Sequence, residues 1–222
     1  MTGAEAEAET TLDEVRARLA PLIAANAAFD GWSKEGVRGA ARAAGIDEDV
    51  ALYAFPGGQM DMIDAWIAAT DHAMDTAFAP GQLAAMKVRE RIAALVRWRL
   101  GHVQGQEEGV RSAMVIMAMP HHAARSLRLG WRSADAMWRL AGDTATDYNH
   151  YSKRALLAGI YAATLAVWVD DKSESKAETM AFLDRRIDGV MRFEKAKAQL
   201  LKPREERFSM ARFLGRLRYP AV

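Results

Sequence analysis

The sequence predicts an all-α protein with an N-terminal helix-turn-helix-like part followed by a larger helical part. Apolar residues recur at helical spacing along most of the 222 residues, and no stretch shows the strict alternation of a strand. A glycine-containing turn at Ala44-Gly45 joins two short predicted helices. Proline and glycine then divide the remaining chain into helices of ordinary length.

The first helix is predicted over residues 11–28, with Thr11 as its N-cap and an apolar stripe along one face. The stripe consists of Leu12, Val15, Leu19, Leu22 and Ile23. Ser33 is the predicted N-cap of a second helix, and a third, short helix begins near Asp47. The turn "FPGG" at residues 55–58 precedes a helix of about twenty residues.

After a break near Pro80 the pattern predicts an amphipathic helix over residues 87–103, a loop at "GQEEG", and an apolar helix that Pro120 ends. Further helices are predicted over residues 123–140, 146–170, 175–193 and 205–217. We therefore divide the chain into a disordered acidic N-terminus (1–10), a helix-turn-helix-like subdomain (11–79), a helical domain (80–200) and a basic amphipathic C-terminal helix (203–222).

The helix predicted over residues 146–170 carries two neighbouring apolar stripes, which is typical of a helix buried on two sides. The first stripe is Leu156, Ile160, Ala163 and Val167, and the second is Leu157, Tyr161, Thr164 and Trp168. Packing of such helices against their symmetry mates would form a homodimer, which is the interpretation we favour. The alternative is that both stripes belong to the core of a monomer.

Composition excludes several classes of function. The chain has no cysteine, so disulfides, thiolate catalysis and cysteine-based zinc sites are not expected. The acidic residues 1–14 resemble neither a secretory signal nor a transit peptide, and no apolar run is long enough to span a membrane. We find no phosphate-binding glycine loop, nucleophile elbow or set of metal ligands, so we predict no enzyme, cofactor or metal.

Charge along the chain opposes DNA binding by the helix-turn-helix-like part. Neither lysine nor arginine occurs between Arg42 and Lys87, and seven acidic residues lie in that gap. The helix that would enter the major groove opens with the acidic residues Asp47, Glu48 and Asp49. Because protein–DNA affinity depends on cations near the phosphates, we predict no nucleic-acid partner.

The layout, with its helix-turn-helix, "FPGG" turn and following helices, resembles the TetR family, in which the C-terminal helices bind a ligand and form the dimer. A second resemblance, over about residues 31–190, is to the Coq-nine family of ubiquinone-biosynthesis accessory proteins. Its motifs here are Pro120-His121, the Asp-x-x-Trp of residues 135–138, Gly142-Asp143 through Arg154, and "FLDRRI" at residues 182–187. The chain departs from the family at His150, where the family has Trp.

The second resemblance implies a TetR-like fold that binds an isoprenoid lipid or quinone precursor and presents it to a ubiquinone-pathway hydroxylase. The implied partner-binding residues are Met137, Trp138, Asp147, His150, Tyr151 and Arg154. Four of them, at 147, 150, 151 and 154, share one helical face, and the alternative is a solvated face with an Asp–Arg network. A TetR-type transcriptional regulator with a hydrophobic effector is the alternative function.

Two apolar sets are candidates for contact with lipid and membrane. Methionine adapts to varied ligand shapes, so we predict a lipid cavity lined by Leu95, Met114, Met117, Leu156 and Ile160, although a plain core is the alternative. The C-terminal helix is basic and amphipathic, and its predicted membrane-binding residues are Met210, Arg212, Phe213, Leu214, Arg216 and Leu217. It could instead pack back on the domain. These features together predict a location in the bacterial cytoplasm, peripheral on the inner face of the membrane.

Overall fold

The computed structural model describes residues 11–79, 81–143 and 148–200, without the side chains of residues 148–149, 191 and 193–200. This part of the chain forms nine α-helices and no strand. The helices are α1 (Leu12–Asn26), α2 (Lys34–Ala44), α3 (Glu48–Tyr53), α4 (Gln59–Ala77), α5 (Val88–His102), α6 (Glu107–Met117), α7 (Ala123–Leu140), α8 (Tyr148–Trp168) and α9 (Ala177–Leu200). The prediction of an all-α fold is confirmed.

Local capping explains where the first helices begin and end. The side chain of Thr11 accepts a hydrogen bond from the backbone N–H of Glu14, and the Glu14 carboxylate accepts one from the backbone of Thr11. The side chains of Ser33 and Asp47 also accept hydrogen bonds from backbone N–H groups in the first turns of α2 and α3. Gly45 ends α2 at φ +65°, a left-handed conformation that favours glycine. The predicted starts of these three helices are therefore confirmed.

The predicted loop at "GQEEG" is wrong in its second half, because Glu107 and Glu108 already form the first turn of α6. Two carboxylates near a helix N-terminus interact favourably with the helix dipole. At its other end, α6 stops at Met117, and Pro120 begins a short 3₁₀ turn that leads into α7. The helix α9 continues to Leu200, seven residues beyond the predicted end at residue 193.

The chain divides into two compact units, residues up to Leu183 and residues from Asp184 onward. In the first unit, α1 packs against α2 and α4, α4 packs against α7, and α7 packs against α8. Trp32 joins the helix-turn-helix-like part to the later helices: it is 2% exposed, and its indole N–H donates to the Gly109 carbonyl at 3.0 Å. A side chain at Gly109 would lie 3.1 Å from the Ala24 carbonyl, so glycine permits this close approach of α6 to α1.

Candidate functional site

A cavity of about 710 Å³ lies among helices α4 to α8 of the first unit. Its walls are mostly aliphatic and aromatic side chains, with alanine and glycine from α8. Representative lining residues are Trp66, Ile67, Val110, Met114, Met117, Leu129, Trp131, Ala158 and Leu165. The volume and the apolar lining are those of a site for a small hydrophobic molecule.

Two of the five predicted lipid-binding residues line this cavity, Met114 and Met117. The other three do not line it: Leu95 is fully buried in the core, and Leu156 and Ile160 lie on other sides of α8. The reason is the direction of α8: the side facing the cavity carries small residues at helical spacing, namely Ala155, Ala158, Gly159 and Ala162. The sequence pattern emphasises large apolar residues, whereas the small side chains of this stripe leave the space.

One side of the cavity reaches the protein surface. Leu127 on α7 is 75% exposed and also lines the cavity. Across from it, Ala155, Gly159 and Ala162 on α8 are exposed lining residues. We call these four residues the rim. The cavity is therefore open to the surface at these residues.

The opposite wall is polar and buried. The Arg99 side chain is 2% exposed, forms an ion pair with Asp71, and donates to the Ser133 hydroxyl at 3.3 Å. Its guanidinium carbon lies 5.0 Å from the ring centroid of Tyr161, which also lines the cavity. Burial opposes the charged form of Arg99, but the neighbouring Tyr161 and Asp71 outweigh burial and raise the pKa of the guanidinium.

Arg99 is the end of a ladder of alternating charges between α4, α7 and α5. In order, its members are Asp61, Arg125, Asp64, Arg132, Asp71 and Arg99. In the ion pairs between the arginines of α7 and the carboxylates of α4, the nitrogen–oxygen distances range from 2.7 Å at Arg125–Asp61 to 3.5 Å at Arg132–Asp71. Three carboxylates of the acidic gap in the sequence are thus paired with arginines from later helices, which sequence spacing does not reveal.

The predicted partner-binding residues separate into exposed and buried groups. Tyr151 is 62% exposed, and its ring centroid lies 5.2 Å from that of His150 and 5.9 Å from that of Trp131. We call Trp131, His150 and Tyr151 the aromatic patch. Asp147 lies outside the described residues. Trp131 was missed from the sequence because it lies on α7, 19 and 20 residues before His150 and Tyr151.

Two of the predicted docking residues are not at the surface. Met137 is fully buried and Arg154 is 2% exposed, so neither side chain is available at the surface of the single chain, although Arg154 was predicted on an exposed face. Arg154 donates to Asp135 at 2.6 Å, to Asp143 at 3.1 Å and to the His150 carbonyl at 3.1 Å. The Arg154 guanidinium is therefore paired within the chain, and its ion pairs with Asp135 and Asp143 join α8 to the end of α7.

The remaining motif residues complete that ion cluster. Lys153 pairs with Asp143 at 2.8 Å and lies 5.3 Å from the ring centroid of Trp138, whose indole N–H donates to the Lys153 carbonyl. Burial alone would raise the pKa of the Asp143 carboxyl. Hydrogen bonds from Lys153 and Arg154 outweigh burial and hold this pKa below its usual range. Much of the recognisable motif therefore has a structural role.

The predicted membrane-binding residues Met210 to Leu217 lie outside the described residues. Within the described part of the chain, no group of three or more metal-ligating side chains is gathered, and no helix is long and apolar enough to cross a membrane. The rings of His121 and His122 are 4.0 Å apart, without a carboxylate or a third histidine to complete a metal site there.

Comparison with known proteins bears on both fold and family. The solved structure of a TetR transcriptional regulator from Nitrosomonas europaea matches with a TM-score of 0.60, covering 78% of this chain and 95% of that one at 21% identity. The TetR-like fold is thereby confirmed. Residues 123–194 match the family model of COQ9.

Curated relatives agree with the family match. The chain is 28% identical over 196 residues to the ubiquinone biosynthesis protein COQ9, mitochondrial, of Rattus norvegicus, covering 86% of the chain and 63% of the relative. It is 43% identical over 79 residues to the Bos taurus protein of the same name, covering 36% of the chain and 25% of the relative. The resemblance to the COQ9 family is confirmed. The chain spans less than two thirds of the length of these relatives.

These relatives overturn the predicted location. They carry names of mitochondrial proteins and come from eukaryotes, among them Rattus norvegicus, Homo sapiens and Drosophila melanogaster. The prediction of a bacterial cytoplasmic location, peripheral on the inner face of the membrane, is therefore wrong.

Proposed function

We propose that this chain is a non-enzymatic accessory protein of ubiquinone biosynthesis that binds an isoprenoid quinone precursor and presents it to a hydroxylase. The COQ9 relatives support the pathway. The observation that carries the proposal is the position of Trp131, which lines the cavity and also belongs to the aromatic patch. A partner bound to the patch would lie next to the rim, where the bound lipid leaves.

The chemistry of the cavity supports a carrier rather than an enzyme. Among the described lining residues, the ionisable side chains are Arg99 and Tyr161. General acid–base catalysis most often uses histidine, carboxylate or lysine side chains, and none of these is among the described lining residues. The wall can bind and orient a molecule, and the reaction itself then belongs to the hydroxylase.

The test is the lipid content of purified protein, measured by mass spectrometry, in the wild type and in G159F. Gly159 lines the cavity, and a Cβ built on it meets no atom within 4 Å, so a large side chain would occupy ligand space without a clash. The matched control is G101F, since Gly101 is an equally open helical glycine outside the cavity lining.

We expect prenylated lipid to accompany the wild type and G101F, and to fall about tenfold or more in G159F. The tenfold level corresponds to about 1.4 kcal/mol of lost binding, a modest amount for a blocked pocket. Wild-type protein without prenylated lipid, or equal lipid in G159F and G101F, would overturn the proposal.

The shared fold makes a TetR-type regulator the second candidate, but the structure gives the helix-turn-helix-like part few available cations. Arg42 pairs with Glu48 at 3.0 Å and with Glu35 at 3.4 Å, and Arg38 pairs with Glu35 at 3.3 Å. Cations held by carboxylates do not release counterions from DNA phosphates. A regulator would show duplex binding at about 50 mM salt that weakens steeply by about 200 mM; the accessory protein should show none.

A further inference from the structure

The connection between α6 and α7 presents a cluster of apolar side chains to solvent. We call it the corner, and its exposed apolar residues are Val115, Ala118, Met119, Pro120 and Ala123. The two large side chains among them, Val115 and Met119, are 61% and 37% exposed. A cluster of exposed apolar side chains, unlike single scattered ones, marks an interaction surface.

We propose that the corner docks on an anionic phospholipid bilayer, so that the cavity takes up its ligand directly from the membrane. The exposure, the charge and the rigidity of the corner carry the docking. Its use in loading the cavity rests on the proposed function. The corner is small, and stable membrane attachment generally takes two signals, so it orients a protein that the predicted C-terminal membrane segment also holds.

Charge favours an anionic surface as the partner. Residues 109–134, which include the corner, contain no aspartate or glutamate but four arginines and two histidines. The arginines that face α4 are paired with its carboxylates, whereas Arg128 and His121 are exposed beside the corner. Basic residues next to an apolar surface attract anionic headgroups, while the apolar side chains enter the region below them.

The same distribution of charge disfavours a second copy of the chain as the occupant. An isologous contact would place the corner of one copy against the corner of the other. Because residues 109–134 contain no acidic side chain, cations such as Arg128 would meet only cations across that contact, which is repulsive. An anionic bilayer instead complements both the apolar and the cationic side chains.

The corner is continuous with the opening of the cavity. Ala118 and Ala123 are exposed and also line the cavity. Leu127 of the rim follows Ala123 by about one turn of α7, and Trp131 of the aromatic patch follows Leu127 by about one more. From Ala123 to Trp131 the helix rises about 12 Å. Docking at the corner would therefore place the opening beside the bilayer and the aromatic patch farther along α7, where a partner can bind.

The corner has a defined shape before it meets a membrane. The Ser126 hydroxyl donates to the Met117 carbonyl at 2.7 Å and joins the start of α7 to the end of α6. Within the turn, the backbone N–H of His122 donates to the Met119 carbonyl at 2.9 Å. A surface that is already ordered loses little conformational entropy on binding.

The experiment exploits the absence of cysteine from the chain. M119C and, as the matched control, V50C are prepared in the full chain and labelled with the environment-sensitive fluorophore nitrobenzoxadiazole. Val50 is 43% exposed, close to the exposure of Met119, but it lies on α3. The vesicles contain equal amounts of phosphatidylcholine and phosphatidylglycerol. Blue-shifted emission and quenching by spin-labelled lipid report entry of the labelled position itself, whatever else holds the protein on the vesicle.

We expect the label on M119C to shift to the blue and to be quenched, and the label on V50C to do neither. Without a label, V115Q/M119Q should bind the vesicles about tenfold or more weakly than the wild type, because two apolar side chains no longer leave water. The control V50Q/V88Q replaces two valines of similar exposure on α3 and α5, and it should bind like the wild type. Neither Val115 nor Met119 lines the cavity, so these substitutions leave the ligand site intact.

An unshifted label on M119C, on vesicles that have bound the protein, would overturn this inference and leave ligand binding by the cavity untouched. Equal vesicle binding by V115Q/M119Q and V50Q/V88Q would overturn it as well. A blue shift that appears without vesicles and grows with protein concentration would identify a second copy as the occupant and contradict the bilayer. Insertion of M119C by a protein that carries no prenylated lipid would support the docking while the proposed function fails.

Discussion

At the scale of single residues, the motif shared with the COQ9 family combines two different roles. Asp135, Asp143 and Arg154 form a buried ion cluster, whereas Tyr151 is an exposed neighbour of the cavity rim. A sequence motif does not separate these roles, because both kinds of residue lie within one helical turn of each other. Substitution in the ion cluster should therefore lower stability, whereas substitution of Tyr151 should weaken partner binding.

We expect R154M to destabilise the protein by about 3 kcal/mol, since removal of one member of a buried ion pair leaves the other charges uncompensated. The measurement is urea unfolding followed by circular dichroism. R139M is the control: Arg139 also pairs with Asp135, at 3.3 Å, but its side chain is 67% exposed, so we expect a change of about 0.5 kcal/mol or less. Y151A should match R139M in stability yet weaken capture of the hydroxylase. Equal stability of R154M and R139M would contradict the buried role.

Acid sensitivity should arise at Asp171, which begins the segment leading to α9. Burial raises its pKa, but hydrogen bonds from Ser173 and Thr179 outweigh burial and hold the pKa well below the usual range. A depressed carboxyl pKa contributes stability above the unfolded-state pKa, near 3.9, that is lost as pH falls through the lower folded-state pKa.

The melting temperature of the wild type should therefore drop steeply below about pH 4, and D171N should show a lower melting temperature at pH 7 with a flatter decline in acid. Melting curves between about pH 7 and 2 provide the measurement. Parallel pH profiles for the two proteins would show that Asp171 is not a principal site of acid sensitivity.

At the scale of elements, helix starts followed from capping residues, while the cavity-facing side of α8 did not follow from its hydrophobic pattern. Thr11, Ser33 and Asp47 act within one turn of their own sequence position, so their effect is local. The side of α8 that faces the cavity depends on where α7 lies. The hydrophobic pattern alone therefore did not show that Leu156 and Ile160 lie outside the cavity lining.

The C-terminal segment, beyond the described residues, retains its prediction as a membrane-binding element. Truncation after Lys202 should leave a folded protein that no longer floats with anionic liposomes, because each basic residue near an anionic surface contributes about 1 kcal/mol and the apolar stripe adds burial. L214E should have nearly the same effect. The control is L200E, which lies before the segment and should leave flotation unchanged. Unchanged flotation of the truncated protein would place membrane binding elsewhere.

At the scale of the whole molecule, the exposed stripe of α8 is the candidate for self-association. Leu156 is 40% exposed, and Ile160, Ala163 and Val167 of the same stripe are half-buried. The second stripe, with Leu157, Thr164 and Trp168, is buried in the single chain. The structure thus separates the two stripes that the sequence treated alike, and it leaves only the first for a partner copy.

L156E should convert a dimer into a monomer, since a charge would be buried without a partner at an isologous interface. Light scattering coupled to gel filtration measures the mass directly. The control is A166E, because Ala166 is exposed on the same helix but outside the stripe. A wild-type protein that is monomeric at micromolar concentration, or an L156E variant that remains dimeric, would contradict this assignment.

The sequence by itself determined the fold class, the starts of the first three helices and the family resemblance. These depend on short-range information: helical periodicity, capping residues and a contiguous motif. It also singled out Met114 and Met117, because a flexible apolar run in a helix is visible without knowledge of its neighbours.

Only the tertiary structure decided where charges and empty space lie. Asp71 meets Arg99 across 28 positions and Asp64 meets Arg132 across 68, and nothing local to either residue specifies its partner. The cavity exists because small residues of α8 face α7, which is a property of packing rather than of any one segment. Burial of Arg154 follows for the same reason: whether a polar helix face is solvated or paired depends on what the fold places opposite it.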